Sequence, residues 1–271
     1  APLTVGLLSG IDRKLTAKLQ SRRGPSIFQG YWDVLKLFGK EPIASSRTSI
    51  LCAWAHLFSA AFAFLLFALR GDLLLVFFVQ AVGAVFLVIG AMSVPSPFSQ
   101  LGAQRELMQI LAYEPILIVV FFGMYLVTGS FSVSAIAAHP APLLLQLPLL
   151  YVALGYALTI KLRKSPFDLS TSHHAHQELV KGVLTEYSGP FLALVEVAHW
   201  FEVALVLGVC GLFWATNPWI ALALVAATYL LEILVDNTTA RVTWRWMLRS
   251  SWGVGLVLTV ANVSWLYFAK R

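Results

Sequence analysis

Long runs of apolar residues alternate with short polar segments along most of this chain. Each long run predicts a spanning helix, since about 20 mostly apolar residues cross a membrane core. The first apolar stretch, 1–11, is too short to span alone and predicts only part of a first helix. The pattern therefore predicts an all-α polytopic membrane protein with about eight transmembrane helices in a single integral membrane domain, 1–271. The seven later spans are expected near 50–69, 73–92, 116–128, 143–160, 191–215, 219–235 and 252–269.

A polar and basic segment, 12–49, separates the partial first helix from the next span. Within it, Gly24 and Pro25 predict a sharp break, because glycine permits unusual backbone dihedral angles and proline fixes one. Beyond the break, apolar residues recur at helical spacing and predict an amphipathic helix on the membrane surface. The apolar positions of that helix are Ile27, Tyr31, Val34, Leu35 and Phe38.

The distribution of charge predicts which end of the bundle faces the cytoplasm. Only 12% of the residues are charged, whereas a soluble domain has about a quarter. Segments 12–49, 93–112, 161–190 and 237–251 together hold 16 of the 19 Lys and Arg residues. Because cytoplasmic loops carry such an excess, we expect these segments to face the cytoplasm and the chain to lie in the inner membrane. The net charge of +6 thus reflects orientation in a lipid bilayer, and no nucleic-acid partner is expected.

Ionisable residues continue from the segment 161–190 into the apolar helix that follows it. Such residues are costly inside a membrane unless they are hydrated or paired, so their density predicts a path for protons or ions. The alternative is that they only hold helices together. Glu106 lies on a polar stretch and is expected to be solvated. The candidates for the path are Glu114, Glu178, Glu186, Glu196, His199, Glu202, Glu232 and Asp236.

Neither a metal site nor a complete active site is predicted within this chain. Cys52 and Cys210 stand singly in apolar runs, so they form no iron–sulfur or zinc motif. The histidines 173, 174 and 176 have no accompanying thiolate, and a hydrogen-bonded network at a partner interface is the preferred interpretation. Any electron chemistry must therefore belong to a partner, and the shared cytoplasmic face of 12–49 and 161–190 predicts a docking platform for it.

Several motifs resemble the large-loop subunit of respiratory complex I, which joins the soluble redox arm to the proton-pumping arm. They are RKLTAKLQSRRGP at 13–25, AYEP at 112–115, SPFDL at 165–169, QELVKG at 177–182 and TEYSGPFLAL at 185–194. Other stretches are more similar to the membrane-anchor subunit of group 4 energy-converting [NiFe] hydrogenases, including the formate hydrogenlyase branch. These are RRGPSIFQGYWDVLKLFGKE, SPFSQLGAQRE, HHAHQELVKG and DNTTAR.

The resemblance implies a subunit without redox centres that couples hydrogen chemistry to proton or sodium translocation. It places the NiFe centre and the iron–sulfur clusters in partner subunits, and it makes 161–190 a coupling loop. The implied partners are a NiFe large subunit, an iron–sulfur small subunit, a ferredoxin-like subunit and antiporter-like membrane subunits. The residues expected at the interface with the soluble arm are Arg22, Arg23, Gly24, Pro25, Arg105, Asp168, His173, His174 and His176.

Two alternatives remain open from the sequence. The chain could be the quinone-site subunit of a complex I-like NADH or other quinone oxidoreductase, or a passive structural anchor. The loop sequence STSHHAHQE and the tripeptide Ala198-His199-Trp200 depart from the quinone-using pattern, which has a glutamate-rich loop and Ala-Glu-Tyr. These departures favour the hydrogenase interpretation over the quinone one.

Overall fold

The structure is a computed structural model that describes residues 2–43, 46–167, 170–171 and 181–269. Eleven α-helices and a short 3₁₀ helix, Gly182–Leu184, make up the regular structure of these residues. The helices are α1 Pro2–Leu19, α2 Gln29–Phe38, α3 Arg47–Ala68, α4 Leu73–Met92, α5 Pro97–Thr128, α6 Val133–Ala137, α7 Leu143–Gln146, α8 Pro148–Lys161, α9 Gly189–Leu212, α10 Pro218–Thr238 and α11 Trp244–Ala269.

Six of these helices are long and apolar enough to cross a membrane, namely α3, α4, α5, α9, α10 and α11. The apolar helix α8 is shorter, and α1 carries charged residues in its second half. The prediction of an all-α polytopic membrane protein is therefore confirmed, and the expected count of eight spans is approximate. The expected amphipathic helix is also present, as α2, which exposes Trp32, Leu35 and Phe38 on one side.

The sequence pattern misplaced the start of the span expected at 116–128. Helix α5 begins at Pro97, runs for 32 residues and contains Pro115 in its interior. The polar residues of its first half do not form a surface loop, because Ser99, Glu106 and Gln109 are buried against the rest of the protein. Burial of that polar face by tertiary contacts allows one continuous helix where composition alone indicates a boundary.

The span expected at 143–160 is broken at Pro148, where α7 ends and α8 begins. Asn262 of α11 is fully buried at this break. Its Oδ1 accepts hydrogen bonds from the backbone N–H groups of Leu149 (2.9 Å) and Leu150 (3.3 Å), and its Nδ2 donates to the Gln146 carbonyl (2.9 Å). A side chain from another helix thus satisfies backbone groups that a membrane core would leave without water.

Glycines bring the segment after α1 into backbone contact with that helix. A Cβ atom at Gly10 would lie 1.8 Å from the Ile27 carbonyl oxygen, and one at Gly24 would lie 2.9 Å from the Ala17 Cβ. Only residues without a side chain permit such an approach. The Arg22–Pro25 turn is consequently folded back on α1, and α2 lies across α1 and α9.

Candidate functional site

The buried carboxylate of Glu202 is the centre of a polar cluster inside the helix bundle. Its Oε1 accepts hydrogen bonds from Gln80 Nε2 of α4 (2.6 Å) and from Lys161 Nζ at the end of α8 (3.2 Å). The Lys161 ammonium also lies 4.9 Å from the ring centre of Tyr113 on α5. Removing charges from water is costly, so this pair is stable only because each charge compensates the other.

Two histidines extend this cluster. His199 Nδ1 lies 3.7 Å from Glu202 Oε2, and the buried His56 on α3 places its Nδ1 2.9 Å from the Gly83 carbonyl oxygen. Among the described residues, His56 Nε2, His199 Nδ1 and Gln80 Oε1 have no hydrogen-bond partner. A buried polar group left in this way costs about 1–3 kcal/mol. The cluster therefore has spare capacity to bind a proton or a water molecule, which a purely structural polar contact does not need.

A small cavity of about 20 Å³ adjoins Gln80 and Lys161. The surface that it presents is apolar, and a buried water needs two to four polar partners, so the cavity does not by itself hydrate these two side chains. Its other walls are apolar and include Phe77 and Phe121, whose rings meet edge to face at 6.0 Å. The polar cluster thus borders directly on an apolar wall formed by α4 and α5.

The turn after α8 carries two further cations, of which Lys164 is buried and Arg163 is partly buried. Arg163 Nη2 lies 3.5 Å from Glu106 Oε1 of α5, and Lys164 Nζ lies 2.7 Å from Asp12 Oδ2 of α1. The expectation that Glu106 is solvated was wrong, because this residue is only 8% exposed. Its polar neighbours on α5 indicated a surface stretch, whereas the arginine from the turn allows the carboxylate to be buried as an ion pair.

Two acidic residues of α10 lie on the other side of the same turn. Asp236 Oδ1 accepts a hydrogen bond from the Ser165 backbone N–H at 2.9 Å. Glu232 is 1% exposed, and its Oε2 has no hydrogen-bond partner among the described residues. Asp236 thus anchors the turn, while Glu232 is a second buried carboxylate that could exchange a proton.

The remaining described acids of the predicted path are partly exposed. Glu114 is half-buried on α5 and within electrostatic range of Lys161. Glu196 of α9 lines a cavity of about 100 Å³ together with Ser9, Arg13 and Asp33. Glu186 is half-buried just after the 3₁₀ helix. Glu196 and Glu202 therefore lie on the same helix, Glu196 at a polar cavity near α2 and Glu202 in the buried cluster.

An ion pair between α1 and α2 borders the Glu196 cavity. Arg13 Nη1 lies 2.8 Å from Asp33 Oδ2, and Gln29 Nε2 donates to Asp33 Oδ1 at 2.7 Å. Partial burial raises the pKa of the Asp33 carboxyl group, but these hydrogen bonds outweigh that effect and the pKa lies below its usual value. Asp33 is thus held ionised at neutral pH.

The structure describes only some of the residues expected at the partner interface. Arg22, Arg23 and Gly24 are exposed, and Pro25 and Arg105 are half-buried. Asp168, His173, His174, His176 and Glu178 lie outside the described residues, so their predicted roles remain predictions. Within the described part of the chain, no group of three or more His, Cys, Asp or Glu side chains could hold a metal ion.

Several members of the site were not among the residues predicted from the sequence. Lys161, Arg163 and Lys164 were interpreted as orientation signals, although each pairs with a carboxylate. His56 and Gln80 are single polar residues within otherwise apolar runs, and that isolation was the signal available in the sequence.

A larger apolar cavity of about 520 Å³ lies between α1, α2, α3 and α9. Its lining includes Leu3, Tyr31, Leu35, Phe64 and Trp200. The Tyr31 hydroxyl donates its hydrogen bond to the Leu3 carbonyl oxygen. The cavity is large enough for an isoprenoid or acyl chain, but its lining offers little to hold a polar head group.

Comparison with known proteins identifies the family that this architecture belongs to. The sequence model of the NADH dehydrogenase family matches residues 1–267. The chain belongs to the NADH dehydrogenase family. The six long apolar helices make this chain a multi-pass membrane protein. Because its family functions in oxidoreductase complexes, it works with partner subunits.

The relatives confirm the resemblance seen in the motifs. The chain is 32% identical to Hydrogenase-4 component C of Escherichia coli, over 97% of this chain and 88% of the relative. It is 32% identical to formate hydrogenlyase subunit 4 of the same organism, over 68% and 64% of the two chains. A subunit of NADH-quinone oxidoreductase from Bacillus cereus is 29% identical, over 96% of this chain and 87% of the relative.

A solved structure shows the same fold. It is the membrane-bound sulfane sulfur reductase, described as an archaeal respiratory membrane complex, and one of its chains superposes with a TM-score of 0.89. The superposition covers 98% of this chain and 95% of that chain, at 23% sequence identity. At this identity the similarity establishes the shared fold alone.

Proposed function

We propose that this chain is the membrane subunit of a ferredoxin-linked energy-converting [NiFe] hydrogenase. In this proposal it anchors the soluble redox arm and couples hydrogen chemistry to the movement of protons or sodium ions. The two relatives at 32% identity are a hydrogenase component and a formate hydrogenlyase subunit, which supports the hydrogenase assignment. The loops with the Lys and Arg excess face the cytoplasm, and the chain lies in the inner membrane.

The observation that carries the coupling role is the buried cluster around Glu202. A passive anchor has no need of an ammonium, a carboxylate and two imidazoles in the middle of an apolar bundle, since such groups are costly to bury. The cluster also contains polar atoms with unused hydrogen-bonding capacity. Carboxylate and imidazole groups with that capacity can bind and release protons as their surroundings change.

The proposal assigns the redox centres to partner subunits. The NiFe centre and the iron–sulfur clusters belong to the large and small hydrogenase subunits, a ferredoxin-like subunit delivers electrons, and antiporter-like subunits extend the membrane arm. The two cysteines of this chain, Cys52 and Cys210, are buried on separate helices, consistent with this division.

Identification of the co-purifying subunits tests the proposed function. The complex is to be isolated through a tag on this chain, and its metals, flavin and protein components measured. We expect nickel, iron–sulfur clusters and a subunit with paired cysteine motifs. A flavin-containing NADH-oxidising module in place of the nickel subunit would contradict the hydrogenase assignment.

A quinone-site subunit is the second candidate function, and two observations favour it. One is the 29% identity to a subunit of an NADH-quinone oxidoreductase, and the other is the apolar cavity of about 520 Å³. Against it, the Tyr31 hydroxyl is engaged by Leu3, and Trp200 occupies the position where the quinone-using pattern has tyrosine.

We expect the purified complex to show no quinone-dependent activity, because the cavity provides no evident site for a quinone head group. The measurement is hydrogen oxidation with short-chain and long-chain quinones as acceptors, with an artificial viologen acceptor as the positive control. Saturable quinone reduction that is inhibited by quinone-site ligands would establish the second candidate instead.

The exposed arginines before α2 are expected to bind the soluble arm. Replacing Arg22 and Arg23 by Glu puts like charges at the interface if its partner surface is acidic, which costs several kcal/mol. We therefore expect co-purifying hydrogenase activity to fall at least tenfold at moderate salt. A tenfold loss corresponds to about 1.4 kcal/mol of binding free energy. Arg70→Glu, at the opposite end of α3, is the control and should retain the module. If the double variant retains the hydrogenase module in full, the two arginines serve only as orientation signals.

A further inference from the structure

Three cations within one turn pair with carboxylates from three different helices. Lys161 pairs with Glu202 of α9, Arg163 with Glu106 of α5, and Lys164 with Asp12 of α1, at distances of 3.2, 3.5 and 2.7 Å. The side chains in these pairs are at most 18% exposed. We call residues 161–164 the cationic turn. It is the point at which the chain leaves α8 and enters the coupling loop.

The backbone hydrogen bonds described for residues 161–164 do not reach α1, α5 or α9. The next residues are held by bonds from the Val242 N–H to the Pro166 carbonyl and from Gln109 Nε2 to the Phe167 carbonyl. The N–H groups of Leu162, Arg163 and Lys164 donate to carbonyls in the last turn of α8, and the Ser165 N–H donates to Asp236. The ends of a helix are the first part of it to open. The position of this segment relative to α1, α5 and α9 therefore depends strongly on the ion pairs.

The pair formed by Lys161 differs from the other two because its carboxylate belongs to the polar cluster. If the Glu202 carboxylate takes up a proton, it becomes neutral and Lys161 is left as a buried ammonium without a counter-charge. Leaving one member of a buried pair uncompensated is strongly unfavourable. The ammonium then gains by moving toward water, and the turn that carries it must move as well.

We propose that the Lys161–Glu202 pair is a protonation-dependent latch that fixes the cationic turn to the bundle. Proton uptake by Glu202 releases Lys161 and loosens the root of the coupling loop, and proton loss restores the pair. The latch rests on the proposed coupling function and specifies how the state of the core reaches the cytoplasmic face. Lys161 acts here as a positioning residue and does not itself carry the transported ion.

The surroundings of Glu202 allow both states of the latch. Gln80 can donate to an ionised carboxylate or accept from a protonated one, because its Oε1 is available. The titratable and charged groups that face Glu202 from the packed helices are Lys161, His199, His56 and Tyr113, with the Arg163–Glu106 pair further away.

Amide hydrogen exchange of the intact complex tests the latch without requiring any ion movement. Glu202→Gln imitates the protonated carboxylate, so we expect exchange of the 161–167 amides to rise about tenfold. Lys161→Gln leaves Glu202 uncompensated and should have a similar effect. The double variant removes both charges and should restore protection to within about threefold of the wild type. Lys161→Arg keeps the pair and should remain protected, and Glu41→Gln makes the same chemical change at an exposed site.

Non-additivity shows that the two charges act as a pair, which a permanently ionised structural pair would also do. A latch requires in addition that exchange of the 161–167 amides in the wild type, corrected for intrinsic rates, rises as the pH falls through the neutral range and does not rise in the double variant. A wild type without that pH response overturns the proposal.

If either single variant fails to assemble, the comparison of the wild type with the double variant across pH still tests the latch. The proposal is overturned if Glu202→Gln exchanges like the wild type, or if the double variant is as loose or as unstable as the single ones. Ion translocation can fail in a separate assay while exchange behaves as described, so the two proposals are tested independently.

Discussion

Glu202→Gln is expected to reduce ion-gradient formation at least about tenfold while hydrogen evolution from an artificial donor falls less than about threefold. Glutamine preserves the shape of the side chain and an acceptor oxygen for Gln80 and Lys161, but it cannot carry a proton. The artificial donor supplies electrons to the partner subunits directly. The substitution therefore affects the coupling step more than the redox step.

The measurement uses sealed vesicles in which hydrogen and the ion gradient are followed together. Glu41→Gln is the matched control, because it makes the same change on an exposed carboxylate. A buried cluster that served only to hold the helices together would give a different pattern, in which Glu202→Gln either behaves like the wild type or fails to assemble. Parallel loss of both activities in a fully assembled complex would also contradict the coupling role.

Gly102→Ala is expected to destabilise the complex by about 2–3 kcal/mol, because overpacking a well-packed contact costs this much. A Cβ atom at Gly102 of α5 would lie 2.2 Å from the Val183 backbone nitrogen and 2.4 Å from the Gly182 carbonyl carbon. Backbone atoms cannot rotate away as a side chain can. The 3₁₀ helix at the end of the coupling loop must therefore move off α5.

Gly253→Ala is the matched control for that substitution. Gly253 is on α11, and among the described residues no atom beyond its neighbours and the backbone of its own helix lies within 4 Å of the position that its Cβ would take. Replacing glycine by alanine within a helix favours the helix by about 0.8–1.0 kcal/mol when nothing obstructs the methyl group. Thermal unfolding of the purified complex distinguishes the two variants. Equal midpoints would show that the contact between α5 and the loop is not required for stability.

The sequence was sufficient to predict most of the architecture because the hydrophobic periodicity of a membrane helix is a local property. It indicated the amphipathic helix that became α2, and it indicated that Glu196, His199 and Glu202 follow one another along one apolar helix. The sequence motifs also indicated the protein family, and the comparison with known proteins confirmed it. These features depend on spacing within a single segment.

The features that the sequence did not predict depend on contacts between distant segments. Lys161 and Glu202 are 41 residues apart, and Gln80 and Glu202 are 122 apart, so no local pattern shows that they meet. Glu106 was misassigned for the same reason, since its burial requires Arg163 from another segment. A charged residue at the end of a span has the same sequence signature whether it marks orientation or forms a buried pair.

The number of ions moved per hydrogen molecule tests the central claim most directly. It is to be measured in sealed vesicles for the wild-type complex and for Glu114→Gln, Glu196→Gln, Glu202→Gln and the exposed control Glu41→Gln. The account predicts a constant ratio for the wild type and the control, and a clearly lower ratio for the assembled variants of Glu114, Glu196 and Glu202 while hydrogen evolution continues. An unchanged ratio in all three assembled variants would show that the acidic residues of this chain are not the route.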